Sequence, residues 1–141
     1  MIYIFDTNVI SELMGGRQVA LLRAWLDNYA ADQIYTTVIC EAEIIAGIAK
    51  LPEGRRKATL VQAADNVFAI VFRDRVLPLD REAAREFGVI VNARQKQGRP
   101  IATFDALIAA IARRHEAAIV TRDEGGFQAA GLTVLNPWRA G

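Results

Sequence analysis

This chain has one cysteine, Cys40, and one histidine, His115, and what they cannot do narrows its chemistry. A lone cysteine closes no internal disulfide, and the pair cannot supply the ligands of a structural zinc site. Cys40 sits among apolar neighbours and reads as a packed, inert thiol. An excess of charge of either sign is also missing. Lys and Arg total 17 against 16 Asp and Glu, a net charge of +1. That balance excludes a protein that coats polyanions generally, but not a nucleic-acid substrate, because local patches rather than totals steer phosphates. No apolar run reaches the roughly 18 residues of a membrane span, and the sequence opens on a strand pattern rather than a basic, apolar leader. A soluble protein of the reducing cytoplasm is therefore expected. Low-complexity tracts, internal repeats and Pro/Gly-rich linkers are absent too. The 141 residues, 52% hydrophobic and 23% charged, read as a single domain spanning 1–141.

What is present alternates. Met1–Phe5 is continuously apolar, as in a parallel strand covered on both faces. Val19–Tyr29 carries Leu21, Leu22, Trp25, Leu26 and Tyr29 at helical spacing. Ile34–Val38 is β-branched and aromatic, a second strand followed by helix over Ile39–Lys50. Leu51-Pro52-Glu53-Gly54 breaks the chain before a helix over Arg55–Ala69. Val76–Leu79 is a third short strand, Asp80 caps a helix running to about Gln97, and Gly98-Arg99-Pro100 punctuates again. A helix over Thr103–His115, a strand over Ala117–Val120, a short helix over Asp123–Ala130 and a strand over Leu132–Leu135 complete the order. The resulting β-α-α-β-α-α-β-α-α-β-α-β series predicts an α/β/α sandwich around a mostly parallel, five-stranded sheet.

Four acidic motifs stand out against this frame: Asp6 in Phe5-Asp6-Thr7-Asn8, Glu43 in Ala42-Glu43-Ile44, Asp105 in Phe104-Asp105-Ala106, and Asp123 in Thr121-Arg122-Asp123. Asp6, Glu43 and Asp123 fall just past strand ends; Asp105 opens a helix that is apolar nearly all round. Each has an ordinary explanation. Asp6 suits a helix N-cap, Asp105 offsets a helix dipole, and Glu43 and Asp123 suit solvated charges. Glu43 also has a rival in Glu41, about 200° round the same helix and facing Ile44, Ile45 and Ile48. Together, however, they deliver carboxylates to one edge of a parallel sheet, the edge where functional crevices form. Carboxylates gathered there repel one another unless a divalent cation lies between them. His115, at the end of a helix, is placed to interact with the dipole rather than to act as a general base.

These motifs resemble those of PIN-domain ribonucleases, and more closely toxins of the VapC type, including their FitB-like branch. The likeness runs from Phe5-Asp6-Thr7-Asn8-Val9-Ile10-Ser11-Glu12 through Ala42-Glu43 and Gly47-Ile48-Ala49, then Arg99-Pro100-Ile101 with Asp105, to Thr121-Arg122-Asp123 and Asn136-Pro137-Trp138. The resemblance implies an endoribonuclease that uses Mg²⁺ or Mn²⁺ to hydrolyse phosphodiester bonds. Asp6 and Asp105 would be the principal ligands, with Glu43 orienting water or completing the set and Asp123 acting through water or at a second cation. It further implies an RNA substrate, a homodimer, and a VapB-like antitoxin whose C-terminal segment crosses the site. Arg17, Arg55, Arg56, Lys57, Arg94, Lys96, Arg99 and Arg122 are candidates for phosphate contact, and Leu21, Trp25, Leu60, Val61 and Phe68 for partner contact. Two other functions compete. An aspartate-nucleophile phosphatase wants a second acid where this chain has Asn8, and a catalytically silent PIN-like RNA-binding module need not keep all four acids.

Overall fold

The computed structural model describes residues 1–128 and 130–139. Five strands, β1 (Tyr3–Phe5), β2 (Ile34–Thr37), β3 (Val76–Leu77), β4 (Ala118–Val120) and β5 (Val134–Leu135), form one sheet of order β3-β2-β1-β4-β5. Every neighbouring pair is parallel, so the sheet is wholly rather than mostly parallel. Such a sheet is buried on both faces, which explains why its central strands read as unbroken apolar runs. Successive residues still point to opposite sides. Ile4 and Ile119 enter one apolar layer, while Phe5 and Val120 enter the other.

Seven α-helices occupy the described residues: α1 (Thr7–Leu13), α2 (Val19–Leu26), α3 (Val38–Ala49), α4 (Arg55–Asn66), α5 (Arg81–Lys96), α6 (Thr103–Arg114) and α7 (Glu124–Gln128). On the face of Ile4, α5 and α6 pack through Ala83, Ile90, Ile108 and Ile111, and Phe127 brings α7 into the same layer. On the face of Phe5, Val9 and Ile10 of α1, Leu22 of α2, Ile44 and Ile48 of α3 and Ala64 of α4 form the second layer. Side-chain caps start four helices: Asp6 accepts from Val9 N, Thr37 from Cys40 N, Asp80 from Ala83 N, and Asp123 from Gly126 N.

Several boundaries differ from the sequence expectation. The helix expected to reach Ala69 ends at Asn66 and passes into a π-turn over Val67–Val71. That turn buries Val67, Phe68 and Phe72 while Ile70 and Val71 stay exposed. The helix expected over Asp123–Ala130 is α7, Glu124–Gln128, because Asp123 caps it from outside. Ala129, part of that expected segment, lies outside the described residues. His115 follows α6 as expected, but burial and the neighbouring Arg114 hold its pKa below the usual histidine value. That shift weakens the expected interaction with the helix dipole. Among the described residues, no helix is long and apolar enough to cross a membrane.

The chain leaves β1 toward β2 and β3 on one side, then crosses to β4 and β5 on the other. The connections therefore diverge at β1 and β4, and the carboxyl ends of these two strands form the topological switch point where crevices open in such sheets.

Candidate active site

Asp6 follows β1 directly and Asp123 comes three residues after β4, so both stand at the switch point. Glu43 lies in the second turn of α3, the helix that springs from β2, and Asp105 in the first turn of α6. Thus the fold brings all four carboxylates to one edge.

Asp6 is the most constrained of them and only 4% exposed. Its Oδ1 accepts the Val9 N–H at 3.0 Å, the N-cap bond of α1, and its Oδ2 accepts a short hydrogen bond from the Thr121 hydroxyl. The backbone N–H of Asp6 donates to Val120 O at 3.1 Å, tying the residue to β4. Capping and site roles therefore coexist in one side chain. Burial pushes the Asp6 carboxyl up to about 6; the hydrogen bonds from Thr121 and Val9 oppose the rise, and the charges of Asp105 and Asp123 add to it. Asp105 is half-buried, and its pKa is raised by burial first and then by Asp123 and Glu43, with Arg94 pulling it down. Asp105 thus lies within electrostatic reach of Asp6, Asp123 and Glu43.

Residues to which the sequence reading gave no holding role keep the acids in place. The Thr7 hydroxyl donates to Glu43 Oε1 at 2.7 Å, a link between α1 and α3. Thr121 is fully buried; it donates to Asp6 and accepts the Asp123 N–H at 2.9 Å. Asp123 in turn accepts the Gly126 N–H at 3.2 Å, and a Cβ at Gly126 would approach its Oδ2 to 2.6 Å. Arg94 is 5% exposed and donates from Nε to Arg99 O at 2.8 Å and from Nη1 to Gly126 O at 2.9 Å. It braces α7 near Asp105 and is unavailable to a substrate. The one available signal for these partners was position: threonines directly beside Asp6 and two residues before Asp123.

Other candidates sort clearly. Glu41 is half-buried beside Ile45, Asp65 and Phe68, on the side of α3 facing α4, in a recess that none of the four candidate acids lines. Lys57 pairs with Glu53 at 2.7 Å. Arg122 lies 4.1 Å from the Trp138 ring centre and bonds to Glu12 and Gln18, so it clasps the chain rather than reaching outward. Arg17, Arg55, Arg56, Lys96 and Arg99 are exposed. Of the apolar candidates, Leu21 and Val61 are exposed, Trp25 and Leu60 half-buried, and Phe68 buried in the core.

Among the described residues, none of the four site acids has a salt-bridge partner. Nor do three acidic, histidine or cysteine side chains already close on one point. The donor chemistry nevertheless fits a hard divalent cation: four carboxylates, no imidazole and no thiolate turned toward them. Cys40, the one thiol, is buried against Thr37 and the Phe5 carbonyl.

A family model described as PIN domain matches residues 3–132. Toxin FitB of Neisseria gonorrhoeae is 36% identical over 135 residues, 96% of this chain and 97% of its own length. A VapC ribonuclease of Sinorhizobium fredii is 34% identical over 96% of each chain. The crystal structure of FitAcB from Neisseria gonorrhoeae contains a chain that superposes with a TM-score of 0.88 at 35% identity, over 98% of this chain and 99% of that one.

Proposed function

The chain belongs to the PIN-domain family, and from that membership we propose that it is a metal-dependent endoribonuclease, the toxin of a VapBC-type toxin–antitoxin pair, acting in the cytoplasm. The whole of 1–141 is taken as one such domain. The observation that carries the reading is the set of four carboxylates, carried by four separate segments at one sheet edge and, among the described residues, without a salt bridge to any of them.

Asp6 and Asp105 would hold Mg²⁺ or Mn²⁺ as principal ligands, with Glu43 and Asp123 completing the set. When bound, the cation acidifies water and offsets charge gathering on the phosphate in the transition state. The chain's own part is orientation. Val9 and Thr121 each hold one oxygen of Asp6, and Thr121 also holds the backbone of Asp123, so the relative placement of these acids is fixed by the fold. Thr7 fixes one oxygen of Glu43 and leaves the other free to orient the attacking water. Phosphates of the RNA fall to the exposed Arg17, Arg55, Arg56, Lys96 and Arg99. The antitoxin and a second copy of this chain are the partners this reading carries, with exposed Leu21 and Val61 as contact candidates for the antitoxin.

Incubation of total RNA with the purified protein and Mg²⁺ or Mn²⁺, beside EDTA, Asp6→Asn and Asp105→Asn controls, tests the proposal. Discrete products that vanish with EDTA and in both variants are expected. Absence of cleavage under either metal, with the variants folded and indistinguishable from wild type, would overturn it in favour of a binding module.

A further inference from the structure

Beside the acidic cluster lies a cavity of about 270 Å³ whose rim is shared with the site. Thr7, Ser11 and Glu43 line one side, Ile44 and Leu60 form apolar walls, and Gly47 of α3 opens onto it. Gly47 is a poor choice for the interior of a helix. No packing demand explains it, because a Cβ built there meets nothing within 4 Å. Its backbone is ordinary helix, so no positive φ calls for glycine either. The residue keeps the cavity open where a side chain would occupy it, one helical turn from a site carboxylate. An apolar recess with a few polar groups at its mouth is the composition of a small-ligand pocket. Unstacked bases are held in such recesses, gripped by apolar side chains on their faces and by hydrogen bonds at their edges.

We propose that this recess is a nucleobase subsite: it receives the base of a nucleotide adjoining the scissile phosphate, between Ile44 and Leu60, with the Ser11 hydroxyl at the base edge. The inference rests on the ribonuclease reading for its substrate. It adds what that reading lacks, a place where this chain senses sequence. The occupant follows from continuity. A phosphate at the carboxylates leaves the neighbouring base within reach of the recess through Glu43 and Thr7, which belong to both.

The test uses Gly47→Leu, which fills the recess, and Gly47→Ala, which narrows it while favouring the helix. A random-sequence RNA pool is followed in two ways, by sequencing the cleaved ends in Mn²⁺ and by anisotropy of a labelled pool. Wild type is expected to show a base preference at one fixed position beside the cut. Gly47→Leu is expected to lose about tenfold in cleavage or binding, the scale of one lost base contact, and to flatten that preference. Gly47→Ala is expected to fall between, and both variants to melt no lower than wild type and to bind Mn²⁺ as it does. Gly47→Leu cutting and binding with wild-type rate, affinity and preference would overturn the subsite while leaving the ribonuclease standing. A pool bound but not cut by wild type, and bound more weakly by Gly47→Leu, would sink the ribonuclease and keep the subsite. A pool neither cut nor bound by wild type would overturn both.

Discussion

Asp6 shows the cost of building a site before its ligand arrives. The carboxyl is buried, pushed up to about 6, and flanked by two further acids. An aspartate in the unfolded chain titrates near ~3.9. Between the two values the folded chain keeps a proton that the unfolded chain has lost. Without a divalent cation, the contribution of Asp6 to stability therefore declines as pH rises from roughly 4 to 6 and stays low above that range. A shift of this size corresponds to a ceiling of about 3 kcal/mol. Asp6→Asn keeps an oxygen for the Val9 N–H and removes the charge. In the absence of metal it is expected to melt above wild type at neutral pH, with the gap closing below about pH 4. Thermal melts across pH would show this; a variant that melts lower at neutral pH, or a gap that ignores pH, would contradict it. The importance of Asp6 was legible from its place after an apolar strand. Its clasp by Thr121 was not, because that partner lies 115 residues away.

At the scale of elements, the site depends on how α5, α6 and α7 are joined. Arg94, near the end of α5, reaches the Arg99 carbonyl in the loop leading to α6 and the Gly126 carbonyl in α7. Because α6 carries Asp105 and Gly126 backs Asp123, this one buried guanidinium braces two of the four acids. Arg94→Met fills similar space but leaves both carbonyls without that donor. It is expected to cost about 3 kcal/mol in urea denaturation, from two lost charge-assisted hydrogen bonds. A loss under about 0.5 kcal/mol, typical of a surface change, would show that the brace is dispensable. The sequence announced α5 and its Asp80 cap accurately but classed Arg94 with the phosphate-binding cations. Its burial is set by the tertiary packing of α5 on α6 and α7, which helical periodicity does not report. The π-turn after α4 escaped for a related reason. Val67 and Phe68 continue the apolar stripe of the preceding helix, and only the fold decides that Phe72 N bonds to Val67 O, five residues back.

Over the whole molecule, the parallel sheet brings scattered acids to one edge. Strand count, alternation with helices and the carboxyl-edge location of the acids were all readable, because each rests on local patterning. The strand order was not, since it depends on pairings between distant segments, yet that order puts the switch point between Asp6 and Asp123. Glu43 bonds to Thr7 of α1, whereas Glu41 turns toward α4, which supports Glu43 as the proposed ligand. The central claim is that the fold gathers Asp6, Glu43, Asp105 and Asp123 as a divalent-cation site. Calorimetric titration of Mn²⁺ into wild type, Asp6→Asn, Asp105→Asn and Glu41→Gln tests it most directly. Saturable binding by wild type and Glu41→Gln, weakened at least about tenfold in the two aspartate variants, is the expected result. Undetectable binding by wild type, or equal binding by all four proteins, would contradict the claim.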